Sequence, residues 1–496
     1  MKTASLALFT LATGALLAAD SPYEITDILT ANSPSASRST DWKPGEGIAL
    51  EVSGMDWTAD GKLAVAIRKG EVWMLDGVFG PVDKIGYKLF ASGLHEPLGL
   101  LRDGDSLLVT QRTETTRLRD TNHDGAADEY LAAGRGWNVS GSYHGYAYGP
   151  KRDGRGNLWV ALNVDMGDHA NNKTGWRGWG GTITAGGEFK PMVAGMRSPC
   201  GLGANAAGDM FCVDQQGTWI CSTPIYHLRE GAFFLNPEGI GSQDLPGSPL
   251  KLSAKVPEKV PYPDAVRALP EMRPPAVWLP YNKMGRSGTD LAVVPAGGKF
   301  GPFDGQFMVA EFTDAKVSRV FLEKVDGEYQ GATFPFLAGF ASGIVRLLFA
   351  EDGSLFVGMT SRGWSSLGTK SYGLQSVRWK GVVPFAIREM RARPDGFELV
   401  FTAPVDAATA GNVASYSMKS LTYFYSGAYG SDEIDVKPAP ITAATVSADG
   451  LSVRLKVEGR RELYVHELHA DALRSAAGAK LDHADAYYTL NRIPKN

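Results

Sequence analysis

Gly156-Asn157-Leu158-Trp159-Val160 is one copy of a short phrase, a Gly-containing turn followed by an apolar-x-Val strand, that occurs six times in this chain. The other copies are Gly61-Lys62-Leu63-Ala64-Val65, Gly104-Asp105-Ser106-Leu107-Leu108-Val109 and Gly208-Asp209-Met210-Phe211-Cys212-Val213, then Gly305-Gln306-Phe307-Met308-Val309 and Gly353-Ser354-Leu355-Phe356-Val357. Their valines, from Val65 to Val357, stand 44, 51, 53, 96 and 48 residues apart. A period near the length of one four-stranded blade, with turn glycines and β-branched or aromatic strand residues, predicts a β-propeller. The double interval between Val213 and Val309 admits a seventh unit. The preferred count is six blades with a long insertion at about 236–280, where Pro257, Pro261, Pro263, Pro270, Pro274 and Pro275 exclude central strands and suggest a loop over one face.

The propeller is expected over 48–384, and residues 20–47 are expected to carry a strand that closes the ring. Beyond Pro384 the texture changes. Phe397-Glu-Leu-Val-Phe401 and Ser452-Val-Arg-Leu-Lys-Val457 alternate apolar and polar residues, as strands with one buried face do. Residues 385–496 therefore read as a β-sandwich of immunoglobulin or fibronectin type. Its Tyr-rich segment, with Tyr423, Tyr425 and Tyr429, is expected to pack against the propeller.

Lys2, the apolar run Leu6 to Leu17 and the small Ala18-Ala19 read as a signal peptide over residues 1–19, implying a periplasmic or extracellular protein. No later run is long and apolar enough for membrane insertion. With 50 basic and 54 acidic residues, net charge −4, no global basic field points to nucleic acid. The three cysteines (Cys200, Cys212, Cys221) leave at least one outside any internal disulfide, and Cys212 is equally placed to face either of the others.

In a propeller the innermost strands converge on a central channel, and the segments that begin them carry chemistry here. They read Glu96-Pro97, Tyr143-His144, Arg197-Ser198, Arg286-Ser287 and Ser342 to Arg346. Cationic groups converging on one base suit an anionic ligand or a developing oxyanion. The competing reading has these side chains bonded to loop carbonyls around a water-filled channel. The loop Asp165-Met-Gly-Asp168-His169 follows the third phrase and is a further source of acid–base groups.

The order Tyr143-His144-Gly-Tyr-Ala-Tyr-Gly-Pro, then Gly195-x-Arg197-Ser-Pro-x-Gly-Leu, then Asp214-Gln215-Gln216-Gly217 resembles the soluble glucose/sorbosone dehydrogenases, six-bladed propellers that bind pyrroloquinoline quinone and Ca²⁺. The resemblance covers roughly residues 48–382. It implies His144 as the base, Arg197 and Arg346 on the quinone, and Gln216 and Gly217 near the Ca²⁺. The Gln-Gly segment, His227-Leu-Arg-Glu-Gly231 and the C-terminal sandwich also resemble large exported propeller proteins of planctomycete and verrucomicrobial type. Three positions depart from the quinone pattern: Thr313 where a cofactor-binding Lys is expected, Ser198 for Asn and Thr218 for Pro. No Cys-x-x-Cys-His is present, so electrons would pass to a separate acceptor. The implied substrate is a small-molecule carbohydrate or glycan. A non-catalytic propeller for a glycan or protein, and a cofactor-free hydrolase or lyase using His144 with Asp165 or Asp168, are the alternatives.

Asp120, Asn122 and Asp124 place oxygen side chains at alternate positions before Gly125, and the Ala126 carbonyl and Asp128 can complete a shell for a structural Ca²⁺. Leu131 stands where an EF-hand has its bidentate Glu, so the loop is no EF-hand; an acidic turn without metal is the competing reading. Trp137, Trp176, Trp179, Trp219 and Trp364 fall in expected loops, either as sugar platforms or as wedges between blades.

Overall fold

The computed structural model describes residues 21–28, 50–139, 141–167, 172, 175–363 and 365–495. The expected signal peptide, Asp168, His169 and Trp364 lie outside the described residues.

Each repeated phrase forms the second strand of a blade of four antiparallel strands, two of which are extended by further strands into larger sheets. These strands are Leu63–Ile67, Ser106–Thr110, Leu158–Leu162, Met210–Val213, Phe307–Glu311 and Leu355–Thr360. All six are buried throughout or at all but one position, because the neighbouring blades cover both faces. This is why the phrase reads as a continuous apolar run and not as an alternation. The first strands, Val52–Trp57, Leu100–Asp103, Ala147–Arg152, Gly201–Ala204, Gly288–Val293 and Ile344–Phe349, contact one another in turn and line the axis. Glycine permits that close approach: a Cβ on Gly99 would lie 2.1 Å from the Gly149 carbonyl oxygen.

The protein is thus a six-bladed propeller with no seventh unit. Blade six takes its outermost strand from the N-terminus, where Tyr23–Asp27 pairs antiparallel with Tyr372–Trp379. The closing strand is pinned by the Tyr23 hydroxyl, which donates to the Phe300 carbonyl at 3.0 Å. Blade four receives its outermost strand, Val277–Leu279, only after the long insertion. That insertion is not a loop over the face. Ala232–Phe233 adds a parallel strand to blade three, the helix Tyr262–Ala268 buries Tyr262 and Ala265, and Leu250, Leu269 and Met272 join the same core. The prolines do exclude central strands; they build a packed flank instead.

The C-terminal residues form two sheets. One contains Ile387–Arg393, Gly396–Phe401, Ile441–Val446 and Ser452–Val457. The other, with Ser417–Tyr425, Tyr464–His469 and Asp485–Leu490, runs on into blade five through the register Gly331↔Thr489. Phe321 and Phe334 of blade five share a core with Met390, Phe397, Leu455 and Tyr488 of the sandwich. Propeller and sandwich are joined by a continuous hydrogen-bonded ladder and a common apolar core. Among the described residues no helix is long and apolar enough to cross a membrane.

All three cysteines are buried and unpaired. Cys212 sits across from Leu202 and Tyr226 in the blade-four ladder and faces neither of the other two. Trp137, Trp176 and Trp179 are buried wedges of the blade-three core, not exposed platforms.

Candidate active site at the channel mouth

The loops that start the first strands and those that follow the second strands meet at one end of the channel. Glu96 reaches between two arginines, 3.2 Å from Arg68 and 2.5 Å from Arg112. Arg68 donates to the Tyr146 hydroxyl at 2.9 Å, and the Arg112 guanidinium lies 4.6 Å from the centre of the Tyr146 ring. Arg112 also donates to the carbonyls of Ser142 and Tyr143. The Glu96–Arg112 pair therefore holds the loop that carries His144. Tyr143 is 54% exposed, and a hydrogen bond with Tyr146, then Arg68, hold its phenol below the usual tyrosine range against the effect of burial.

His144 is half-buried, edge-on to Tyr143 at 5.2 Å between ring centres. Burial first, then the positive charges of Arg197 and Arg112, lower its pKa below the ordinary 6.5. The imidazole is consequently neutral at pH 7, and among the described residues its ring nitrogens have no hydrogen-bond partner.

Arg197 is placed by a buried carboxylate. Asp214 accepts the backbone N–H groups of Arg197 at 2.7 Å, Ser198 at 2.6 Å and Gln215 at 2.7 Å. Burial nevertheless pushes Asp214 up to about 6. Among the described residues the Arg197 guanidinium has only weak neutral hydrogen-bond partners: Thr218 and Ser198 hydroxyls at 3.3 Å each and the Met166 sulfur at 3.6 Å. Among the described residues it is in no ion pair. It rests on Gly217, where any Cβ would lie 2.1 Å from its Nε.

The sandwich completes this corner. Its loop 426–431 docks on the segment Gln215 to Cys221 through three backbone bonds: Trp219 N–H to Ala428, Gly430 N–H to Gly217 and Ser431 N–H to Cys221. Between them Tyr429 is carried over Arg197, ring centre 5.3 Å from the guanidinium carbon.

Other sequence candidates stand elsewhere or are committed. Arg346 is 4% exposed and belongs to the carbonyl-bonded reading. It donates to the carbonyls of Ser53, Leu98, Thr289 and Val345, with the Cys200 sulfur 3.6 Å away. It ties four blades at the axis and has no face left for a cofactor. Arg286 lies 3.4 Å from Asp314 and beneath Tyr281. Asp165 is wholly buried, 3.8 Å from Arg177, which donates to the carbonyls of Tyr146 and Asn138. This pair positions the His144 loop and is not open to substrate. Asp168 lies outside the described residues.

The Asp120 to Asp128 loop is satisfied internally. Asp120, Asn122 and Asp124 accept backbone N–H groups of Asp124, Gly125 and Ala126, while Asp128 caps Thr121. The Lys88 ammonium bonds the Asp124 carbonyl. Among the described residues no group of three His, Cys, Asp or Glu side chains converges on one point.

Arg68, Arg112 and Tyr429 were not among the sequence candidates. The first two had a signal: each stands three residues beyond the valine of its repeated phrase, as Glu311 and Asp214 stand two and one beyond theirs.

No family model matches this chain, and no curated protein matches it. Solved structures do. Its structural neighbours include proteins described as glucose, aldose sugar or pyranose dehydrogenases and a carbohydrate-active enzyme. They include a Thermus thermophilus protein described as an oxidoreductase of glucose dehydrogenase type (14% identity, 72% of this chain and 99% of that one, TM-score 0.49). A family AA12 carbohydrate-active enzyme of Trichoderma reesei, in a calcium structure, matches at 11% identity over 73% and 97%, TM-score 0.49. The soluble aldose sugar dehydrogenase of Escherichia coli matches at 12% over 72% and 100%, TM-score 0.47. At such identity and overlap the likeness carries no chemistry.

The residues present fit one half of a quinone–calcium pair. An unpaired guanidinium beside an unpartnered imidazole suits an organic anion. The Gln216–Gly217 turn does not suit a cation: the Gly217 carbonyl accepts Gly430 N–H, and Gln216 Nε2 donates to the Cys221 carbonyl at 3.3 Å. A Cβ on Gly430 would come within 2.5 Å of Gln216 Nε2, so the loop is closed tightly upon it.

Proposed function

We propose that the protein is an exported, periplasmic or extracellular oxidoreductase whose channel mouth binds a sugar or related alcohol and takes one hydroxyl proton onto His144. The observation that carries this reading is the half-buried imidazole, without a hydrogen-bond partner among the described residues, within the electrostatic reach of Arg197 and Arg112. A neutral imidazole is free to accept a proton, and the two positive charges favour the alkoxide that its acceptance leaves. The carbinol hydride then passes to a two-electron acceptor, and the oxidised sugar leaves as lactone or carbonyl. A quinone bearing a carboxylate would be held by Arg197 and would supply that acceptor. Calcium at Gln216–Gly217 forms no part of the proposal. Glu96 and Arg112 keep the His144 loop in place, and Asp214 keeps the Arg197 loop in place.

The test is sugar-dependent dye reduction by the full chain supplied with pyrroloquinoline quinone, over a panel of mono- and disaccharides. Reduction that depends on sugar and disappears in His144→Ala supports the reading; sugar binding without reduction contradicts it. A non-catalytic glycan-binding propeller is the second reading, favoured by one observation: the sandwich loop occupies the turn where the resemblance implies a metal.

A further inference from the structure

The sandwich reaches the mouth at one exposed side chain. Tyr429 is 68% exposed, yet the backbone on both sides of it is fixed: Thr218 and Tyr429 form an antiparallel bridge, Gly430 donates to Gly217, and Ser431 donates to Cys221. Behind the loop, the Tyr425 hydroxyl bonds the Leu235 carbonyl, and the Trp219 ring packs on Tyr425 at 5.4 Å. Gly430 takes a φ of +69° in contact with Gln216, a position no larger residue fills without displacing the loop. An exposed aromatic ring held this rigidly costs little entropy when it receives a ligand.

We propose that Tyr429 is a sugar-binding platform that seats the ring next to the reacting one, so that the preferred substrate is an oligosaccharide end and not a free monosaccharide. This rests on the mouth being a carbohydrate site. One face of the ring is turned to Arg197, which polarises it, and the exposure leaves aromatic surface open to the C–H face of a pyranose. The Ser142 hydroxyl of the His144 loop bonds the Met166 backbone, and the Met166 sulfur lies 3.6 Å from Arg197, so the His144 loop and the platform adjoin the same guanidinium. On this proposal the reacting unit engages the base and the unit linked to it engages the platform. The site is therefore incomplete without the C-terminal sandwich.

Calorimetric titration of the full chain with glucose, cellobiose and maltose tests this without needing turnover. The expected result is tighter binding of at least one disaccharide than of glucose, a loss of about five- to tenfold for that disaccharide in Tyr429→Ala, unchanged glucose affinity, and retention in Tyr429→Phe. Equal affinity for mono- and disaccharides, or an unaltered disaccharide affinity in Tyr429→Ala, overturns the platform and leaves the His144 reading standing. Sugar binding that follows Tyr429 but without dye reduction overturns the base role and leaves the platform. No sugar binding at all overturns both.

Discussion

Asp214 and Glu311 perform one task in adjacent blades. Each is buried at the end of its second strand and accepts the backbone N–H groups of an Arg-Ser pair, Arg197-Ser198 for Asp214 and Arg286-Ser287 for Glu311. Repetition of the blade has repeated the clamp, and the two arginines are presented at the same level of the mouth. Their outer partners differ: Asp314 lies 3.4 Å from Arg286, while among the described residues Arg197 is in no ion pair.

The clamp has a pH signature. Burial raises the folded pKa of Asp214 from 3.8 to about 6. A carboxyl with a raised folded pKa contributes stability that is complete below the unfolded value and is lost as pH rises through the folded one. Unfolding free energy of the wild type, relative to Asp214→Asn, should therefore increase on acidification from about pH 6 to about pH 4. Urea denaturation across that window checks it; parallel pH profiles would contradict it.

Arg346 should matter to stability and not to ligand choice. Arg346→Met strips its hydrogen bonds from four buried carbonyls drawn from blades one, two, five and six. The expected loss is on the order of 3–5 kcal/mol in denaturant unfolding. Lysine, a single point of charge, should not rescue it.

The acidic loop predicts indifference to calcium. Its oxygens are spent on backbone N–H groups, and Lys88 supplies a positive charge. Chelation with EDTA, followed by millimolar Ca²⁺, should leave the Tm unchanged. A rise of several degrees with Ca²⁺ that disappears in Asp124→Ala would contradict this.

The blades were legible because a strand buried on both faces must be apolar throughout, so six copies of one phrase announced themselves. The clustering of His144 with Arg197 was legible for a related reason, since both begin innermost strands. The role of Arg346 was not. An arginine in that position can aim along the axis at carbonyls or outward at a ligand, and its neighbours in sequence are the same either way. Nor was the ladder from Gly331 to Thr489, a pairing between residues far apart in the chain with no turn to specify its register. Tyr429 was legible as part of a Tyr-rich segment that packs on the propeller but not as a site residue, because one tyrosine acquires that meaning only from the arginine it covers.

The pH dependence of kcat/KM for sugar-driven dye reduction probes His144 most directly. The rate should rise with pH through a single pKa below 6.5, be lost by at least about a hundredfold in His144→Ala, and show that pKa displaced upward in Arg197→Met, where one repelling charge is gone. A flat profile between pH 5 and 8, an unmoved pKa in Arg197→Met, or full activity in His144→Ala would contradict a neutral histidine base at the channel mouth.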